Sequence, residues 1–220
     1  MAQTVEVIPI DGGMVNAYLL KSGERFVLVD TLTRSKRASL ERQLAAAGCS
    51  AGKLGLIVAT HGDSDHIGSC AYLRDKMGAP IGMHQSEAVV AETGDMRAAR
   101  PHAKTASRVI FGVLMPLFGL HKSDRFTPDV LLADRDDLSA YGLDARVLYQ
   151  PGHSEGSISV LTATGDLICG DLMTNTGAPQ ANTLVDDPAE LAASIARARE
   201  AGARTVYPGH GKAFAMSELG

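Results

Sequence analysis

Residues 54–66 constrain this chain more than any other stretch. Leu54 to Thr60 is short and almost wholly apolar, the pattern of a strand buried on both faces, and it runs directly into His61-Gly62-Asp63-Ser64-Asp65-His66. Two imidazoles and two carboxylates thus follow a buried strand within six residues. Loops at strand ends are where a rigid scaffold places its working groups. A solvated polar loop has no need of four metal-type side chains in succession. A divalent metal does, because imidazole nitrogen and carboxylate oxygen both ligate zinc at about 2.0–2.2 Å.

One loop of this size cannot fill two metal shells, so further ligands must come from elsewhere in the chain. Three segments offer them: Pro151-Gly152-His153-Ser154, Cys169-Gly170-Asp171-Leu172 and Tyr207-Pro208-Gly209-His210-Gly211. Each sets one potential ligand beside glycine, where a tight turn or a close backbone approach is available. Four of the seven histidines, His61, His66, His153 and His210, fall beside Asp or Gly at the ends of predicted strands. Random burial would not collect them there. His84, after a short strand, reads as structural, and His102 and His121 read as surface residues or pocket lining.

The rest of the pattern predicts a mixed fold. Strands are expected at Val5–Ile10, Val15–Leu20, Arg25–Asp30 and Leu54–Thr60, with Gly/Ser breaks as hairpin punctuation in the first thirty residues. Helices are expected at Ser35–Ala47, Ile67–Met77 and Gln85–Ala91, around a short strand at Pro80–Met83. Strands resume at Ala145–Tyr149, Ser157–Thr162 and Asp166–Cys169. The last helix opens at Asp187 with Pro188 in its first turn and Glu190 placed for a capping box. A final strand runs from Arg204 to Tyr207. No linker or composition shift divides the chain, so residues 1–220 read as one domain. Residues 95–128 break the rhythm: Val109 to Phe118 is apolar but too short to span a bilayer. It is read as a helical insertion that caps the site or forms a homodimer contact.

Composition excludes several classes. With 45% hydrophobic residues the chain can build a sizeable core,. Net charge is −4 with no Lys/Arg cluster, which argues against a nucleic-acid surface,. Cys49, Cys70 and Cys169 are odd in number and widely spaced, so they read as buried thiols in a reducing compartment, with neither a disulfide framework nor a Cys-type zinc site,. Met1 to Ile10 lacks the basic and apolar regions of a signal peptide. The expected setting is cytoplasmic, with a small-molecule substrate and no membrane span.

In this order and spacing the motifs resemble those of the metallo-β-lactamase superfamily over nearly the full length of the chain. The first motif of that family, His-x-His-x-Asp-His, stands here as His61-Gly62-Asp63-Ser64-Asp65-His66, and its later His, Asp and His match His153, Asp171 and His210. The resemblance implies an α+β fold, an αββα sandwich of two mixed β-sheets flanked by helices. It implies two divalent metals, zinc first, with manganese or iron as alternatives. By carry-over His61, Asp63 and His153 hold one metal, Asp65, His66 and His210 the other, and Asp171 bridges them. Asp65 would also orient the attacking water, and Asp30 would support the ligands from beneath.

The implied activity is water attack on an ester, thioester, lactone or phosphoester. The alternative is a di-iron redox protein of the flavo-diiron type lacking its flavin domain. One position departs from the family pattern: Asp63 stands where His is usual. A third carboxylate would favour harder ions than zinc. Residues 151–171 look most like the hydroxyacylglutathione-hydrolase branch, although the chain ends ten residues after His210, short of the helical region with which that thioesterase binds glutathione.

Overall fold

A computed structural model describes residues 4–102 and 120–220. The first half of the chain forms β1 (Glu6–Asp11), β2 (Asn16–Ser22), β3 (Arg25–Val29), α1 (Arg37–Ala46), β4 (Leu54–Val58) and α2 (Ser64–Ile67). It continues with α3 (Cys70–Met77), β5 (Ile81–Met83), α4 (Gln85–Thr93) and β6 (Val130–Leu131). The second half forms β7 (Ala145–Tyr149), β8 (Ile158–Thr162), β9 (Asp166–Asn175), β10 (Gln180–Ala181), α5 (Pro188–Glu200), β11 (Thr205–Gly211) and β12 (Phe214–Ala215).

Six strands make the first sheet in the order β1-β2-β3-β4-β5-β6, antiparallel through β3 and parallel from β3 onward. The second sheet runs β12-β11-β9-β8-β7, with β10 beside β9 and a parallel β11–β9 pair. Both are therefore mixed. The apolar run at 54–58 behaves as its composition demands: Leu56 and Val58 face the second sheet, while Leu54 and Ile57 face the helices, and all four are buried. Burying such a side chain contributes about 1.5–3 kcal/mol.

Three apolar layers follow from this alternation. Leu40 and Leu44 of α1 and Leu73 of α3 pack on one face of the first sheet with Leu19, Phe26 and Leu28. Val27, Val29, Leu56 and Val58 meet Val147, Ile158, Val160 and Ile168 between the sheets. Leu191 and Ala198 of α5 cover Leu161, Leu167 and Val206 on the far side. The result is helix, sheet, sheet, helix, the expected αββα sandwich. The cysteines are buried and free, as their spacing predicted.

The sequence reading needs four local corrections. The helix expected over Ile67–Met77 is two helices, α2 and α3, separated at Gly68-Ser69. The strands expected to stop at Cys169 and Tyr207 run on to Asn175 and Gly211, so Asp171 and His210 lie within paired strands and not beyond their ends. Their mutual parallel pairing, with register shifts after Tyr207 and Pro208, supplies ladder partners that local sequence does not reveal. The short strands β6, β10 and β12 carry no sequence signal of their own. At α5 only half the capping box forms. The Asp187 carboxylate accepts from the amides of Ala189 and Glu190, but the Asp187 amide donates to the Gly152 carbonyl, and Glu190 is held instead by Arg197.

Of the 95–128 insertion, Val109 to Phe118 lies outside the described residues. Its flanks are anchored. Ala99 accepts from the Glu155 amide, and Leu120 and Phe126 are buried in the first core layer. Asp124, only 3% exposed, is held by Arg37 at 2.6 Å and Arg34 at 2.7 Å. Burial would raise its carboxyl pKa, but the two guanidinium groups outweigh it and hold the value below the ordinary range.

A carboxylate whose pKa is lowered on folding contributes stability above its unfolded value of about 3.9, and that contribution is lost as pH falls through the folded value. Asp124→Asn should therefore destabilise the protein by about 1–3 kcal/mol near pH 7, toward the low end because Arg34 is half exposed,. Chemical denaturation at several pH values is the measurement. The gap between variant and parent should shrink below about pH 4, and a gap that stays constant down to pH 2.5 would show that the ion pairs contribute nothing.

Candidate metal centre

The site is assembled where the strand ends of the two sheets meet. β3 is followed by Asp30, a buried residue with φ of +61°, a left-handed conformation that non-glycine side chains rarely adopt,. That turn sets its carboxylate beneath the loop after β4. Asp30 Oδ1 accepts the Thr60 amide at 2.9 Å, Oδ2 accepts the Thr60 hydroxyl at 2.9 Å, and Oδ2 also accepts His66 Nδ1 at 2.8 Å. The Thr60 hydroxyl, having donated to Asp30, accepts from His61 Nδ1 at 2.9 Å. One carboxylate thus orients both histidines of the first motif, directly and through Thr60.

The same device recurs at the other two histidines. His153 Nδ1 donates to the Leu184 carbonyl at 2.6 Å, and His210 Nδ1 donates to the Met14 carbonyl at 2.7 Å. With every Nδ1 engaged, each ring turns its Nε2 toward one small volume. Ligating histidines are held in this way. Asp171 projects into the same volume from β9, with Oδ1 3.3 Å from His66 Nε2 and 3.4 Å from His210 Nε2. Asp65 Oδ2 is 3.6 Å from His210 Nε2 and 3.9 Å from His66 Nε2.

The seven sequence-selected residues therefore converge. Three overlapping sets have ligand atoms within 4.8 Å of one another: His61, His66 and Asp171; His61, Asp63 and His153; and Asp65, His66 and His210. Glycine is required at the seam. A Cβ on Gly209 would stand 2.6 Å from both Asp171 Oδ1 and His66 Cε1, and one on Gly170 would stand 2.5 Å from the Thr60 hydroxyl.

The two halves differ in what their atoms touch. His61 Nε2, His66 Nε2 and Asp171 Oδ1 are buried and have no hydrogen-bond partner, a costly condition that a cation would relieve,. Burial lowers the His66 pKa, yet Asp171, Asp65 and Asp30 overcome it and hold the value well above the usual range, which marks a volume that favours positive charge. The Asp65, His66, Asp171 and His210 half thus fits a divalent metal. In the other half His61 Nε2 is likewise unpartnered, but the other two donors, Asp63 and His153, are engaged. Arg100 Nη2 donates to both oxygens of Asp63, at 2.8 and 2.7 Å, and to His153 Nε2 at 3.0 Å. Burial would raise the Asp63 pKa, but the Arg100 charge with His153 and His61 holds it well below the ordinary range.

Sequence reasoning missed Arg100, Thr60 and Glu87. Glu87, buried in α4, accepts the Gly62 amide at 2.8 Å and the Gly156 amide at 3.0 Å, tying the loops that carry His61 and His153. A glutamate on a short amphipathic helix gives no signal of this, and neither does one arginine before Pro101. Thr60 adjoins His61 and was read as the last residue of the strand. His84 is structural as expected: its Nδ1 accepts the Ser86 amide at the start of α4, and its ring stacks on Tyr149 at 4.6 Å.

A cleft of about 770 Å³ opens over the site, lined among the described residues by Asp65, His210, Met14, Leu184, Met96, Arg34 and His121, among others. Met14 and Leu184, 87% and 66% exposed, form an apolar rim. His121 thus takes the lining role, while His102 lies exposed away from this cleft. Among the described residues no helix is long and apolar enough to cross a membrane.

Comparison with known proteins agrees with this geometry. The hydroxyacylglutathione hydrolase of Anaeromyxobacter dehalogenans (strain 2CP-C) is 29% identical over 195 residues, 88% of this chain. The chain spans 60% of the length of that relative. Among solved structures, the B3 metallo-beta-lactamase BLEG-1 matches with a TM-score of 0.74 at 23% identity, covering 98% of this chain and 95% of that one. TTHA1623 in a di-iron-bound form matches with a TM-score of 0.71 at 24% identity, covering 97% and 96%. At these identities the structural matches establish the fold alone. The model of the metallo-beta-lactamase superfamily matches residues 10–210, and the chain belongs to that superfamily.

Proposed function

We propose that this protein is a metal-dependent hydrolase of a small-molecule ester, thioester, lactone or phosphoester. The observation that carries this reading is the convergence of His66, Asp171, Asp65 and His210, with the buried His66 Nε2 and Asp171 Oδ1 otherwise unpartnered. A divalent ion held there supplies Lewis acidity and brings the pKa of a coordinated water toward about 7. The protein's own groups do the rest. Asp30 and the Met14 carbonyl keep the Nδ1 protons of His66 and His210 in place, so each ring keeps Nε2 inward, where a bound cation would take the place of the Nε2 proton. The Asp65 side chain, 37% exposed toward the cleft, is positioned to accept a hydrogen bond from the attacking water and to align it.

A cleft of about 770 Å³ lies within the range of small-molecule sites, roughly 300–1,000 Å³,. Its apolar rim suits an acyl or alkyl group, and Arg34 on its wall suits a polar tail. The likeness to the hydroxyacylglutathione hydrolase, along 88% of this chain, supports hydrolysis. The length shared with the hydroxyacylglutathione hydrolase leaves its particular substrate unassigned here. The di-iron neighbour shows that this fold accommodates iron, which keeps the metal's identity open among zinc, iron and manganese, but no residue described above favours a redox role over hydrolysis.

Protein loaded with zinc, iron or manganese and screened against the four bond classes should turn over at least one of them. Chelation should abolish that turnover and metal return should restore it. Hydrolysis that survives complete metal removal would refute the reading. Asp30→Asn tests the support beneath the ligands: it keeps the shape but weakens acceptance from His66 and Thr60. Loss of such an outer partner costs about 10–100-fold in metal affinity, to be read by competition with a chromophoric chelator. Unchanged affinity would reduce Asp30 to a turn residue.

A further inference from the structure

Arg100 comes from the described flank of the 95–128 insertion and is only 5% exposed. Its Nη2 lies 2.7 Å from Asp63 Oδ2 and 3.0 Å from His153 Nε2, two of the three atoms that would hold a metal in the His61, Asp63 and His153 set. We propose that the Arg100 guanidinium takes the place of the first metal, so that this chain binds a single divalent ion, at Asp65, His66, Asp171 and His210. The inference rests on the hydrolase reading above and narrows it to a mononuclear centre.

The lone-pair count carries the argument. His153 Nδ1 faces a carbonyl that can only accept, so in the neutral ring Nε2 keeps one lone pair, and that atom lies 3.0 Å from Arg100 Nη2 and 3.2 Å from Asp63 Oδ2,. That pair accepts from Arg100 and cannot at the same time bind a metal. Both Asp63 oxygens also accept from Nη2. A divalent ion could enter only by expelling the guanidinium, and the guanidinium is held from behind. Arg100 Nη1 donates to the Met96 carbonyl at 2.8 Å, and Met96 and Ala99 are buried against Val90. Expulsion would undo that small core and separate a buried guanidinium from the carboxylate that accepts from it, an unfavourable exchange,.

The pairing also accounts for Asp63. A neutral imidazole, usual at this position of the family motif, would remove the carboxylate that accepts from the buried guanidinium, whereas Asp63 neutralises it. Asp63 even forgoes a local use: it sits at the N-cap of α2, but its side chain makes no cap hydrogen bond. On this reading Asp63 is a counter-ion and positioning residue, and the remaining ligand set has two histidines and two carboxylates. The expectation that a third carboxylate hardens the metal preference then falls away.

Metal stoichiometry decides the matter. Wild type, Arg100→Gln and Arg100→Ala would be stripped, titrated with Co(II) or Zn(II), and read by elemental analysis, native mass spectrometry and the Co(II) absorption and magnetic spectra. Wild type should saturate at about one ion per chain with the spectrum of an isolated four- or five-coordinate ion. The Arg100 variants, checked for folding by circular dichroism, should gain a second equivalent at least tenfold tighter than any second binding to wild type. Two tight equivalents in wild type, with spin-coupled Co(II), would overturn the inference and leave the hydrolase reading intact. A single equivalent in both wild type and folded variants would overturn it too. No tight metal in wild type would overturn both readings. Should neither variant fold, the wild-type Co(II) titration still decides between one ion and two.

Discussion

One buried carboxylate holds this structure's chemistry in place. Asp30 receives the Thr60 amide, the Thr60 hydroxyl and His66 Nδ1, and through Thr60 it fixes His61 as well. The interaction depends on a left-handed backbone turn at the end of β3, a conformation that costs of order 1 kcal/mol or more for a residue with a Cβ,. That strain is sustained because β3 lies between β2 and β4 in a sheet whose two faces are covered by apolar layers. The sandwich is therefore more than a container. Its rigidity lets a strained residue present a charge where four imidazole and carboxylate groups must be aimed within a few ångströms.

Charge balance explains how the rest of the site is arranged. Asp63, Asp171 and Asp30 are buried carboxylates, and each needs a compensating donor or cation,. Asp30 is satisfied by the Thr60 amide and hydroxyl and by His66 Nδ1. Asp63 is satisfied by Arg100. Asp171 shares its volume with His66 and His210 but keeps one buried oxygen unpartnered. The site is thus divided: one side already carries a fixed positive group, and the other is prepared to receive one. Glu87 couples the division to the scaffold, since its two oxygens bridge the backbone of the loops bearing His61 and His153.

Much of this was legible from composition and order along the chain. The buried character of 54–60 followed from its unbroken apolar run, and the same run placed His61 to His66 at a strand end. Asp187 with Pro188 marked the start of α5 correctly, because capping uses groups only two or three residues apart. Where the relevant partner was distant, the reading failed. The lengths of β9 and β11 are set by their parallel pairing with each other, across a sequence gap of dozens of residues. The reciprocal half of the α5 cap was lost to the Gly152 carbonyl for the same reason.

The sequence by itself determined which side chains could bind a metal and in what order they occur. Those are properties of donor chemistry and of spacing within single segments. Hydrophobic periodicity also indicated a mixture of strands and helices, and the resemblance of the motifs implied their layering as a sandwich. Only the tertiary structure decided which donors are already engaged. Whether Asp63 faces a metal or a guanidinium depends on Arg100, 37 residues away, arriving at 2.7 Å on a segment with no pattern of its own. Electrostatic pairing at contact distance is a property of three-dimensional placement, and local sequence carries no record of it.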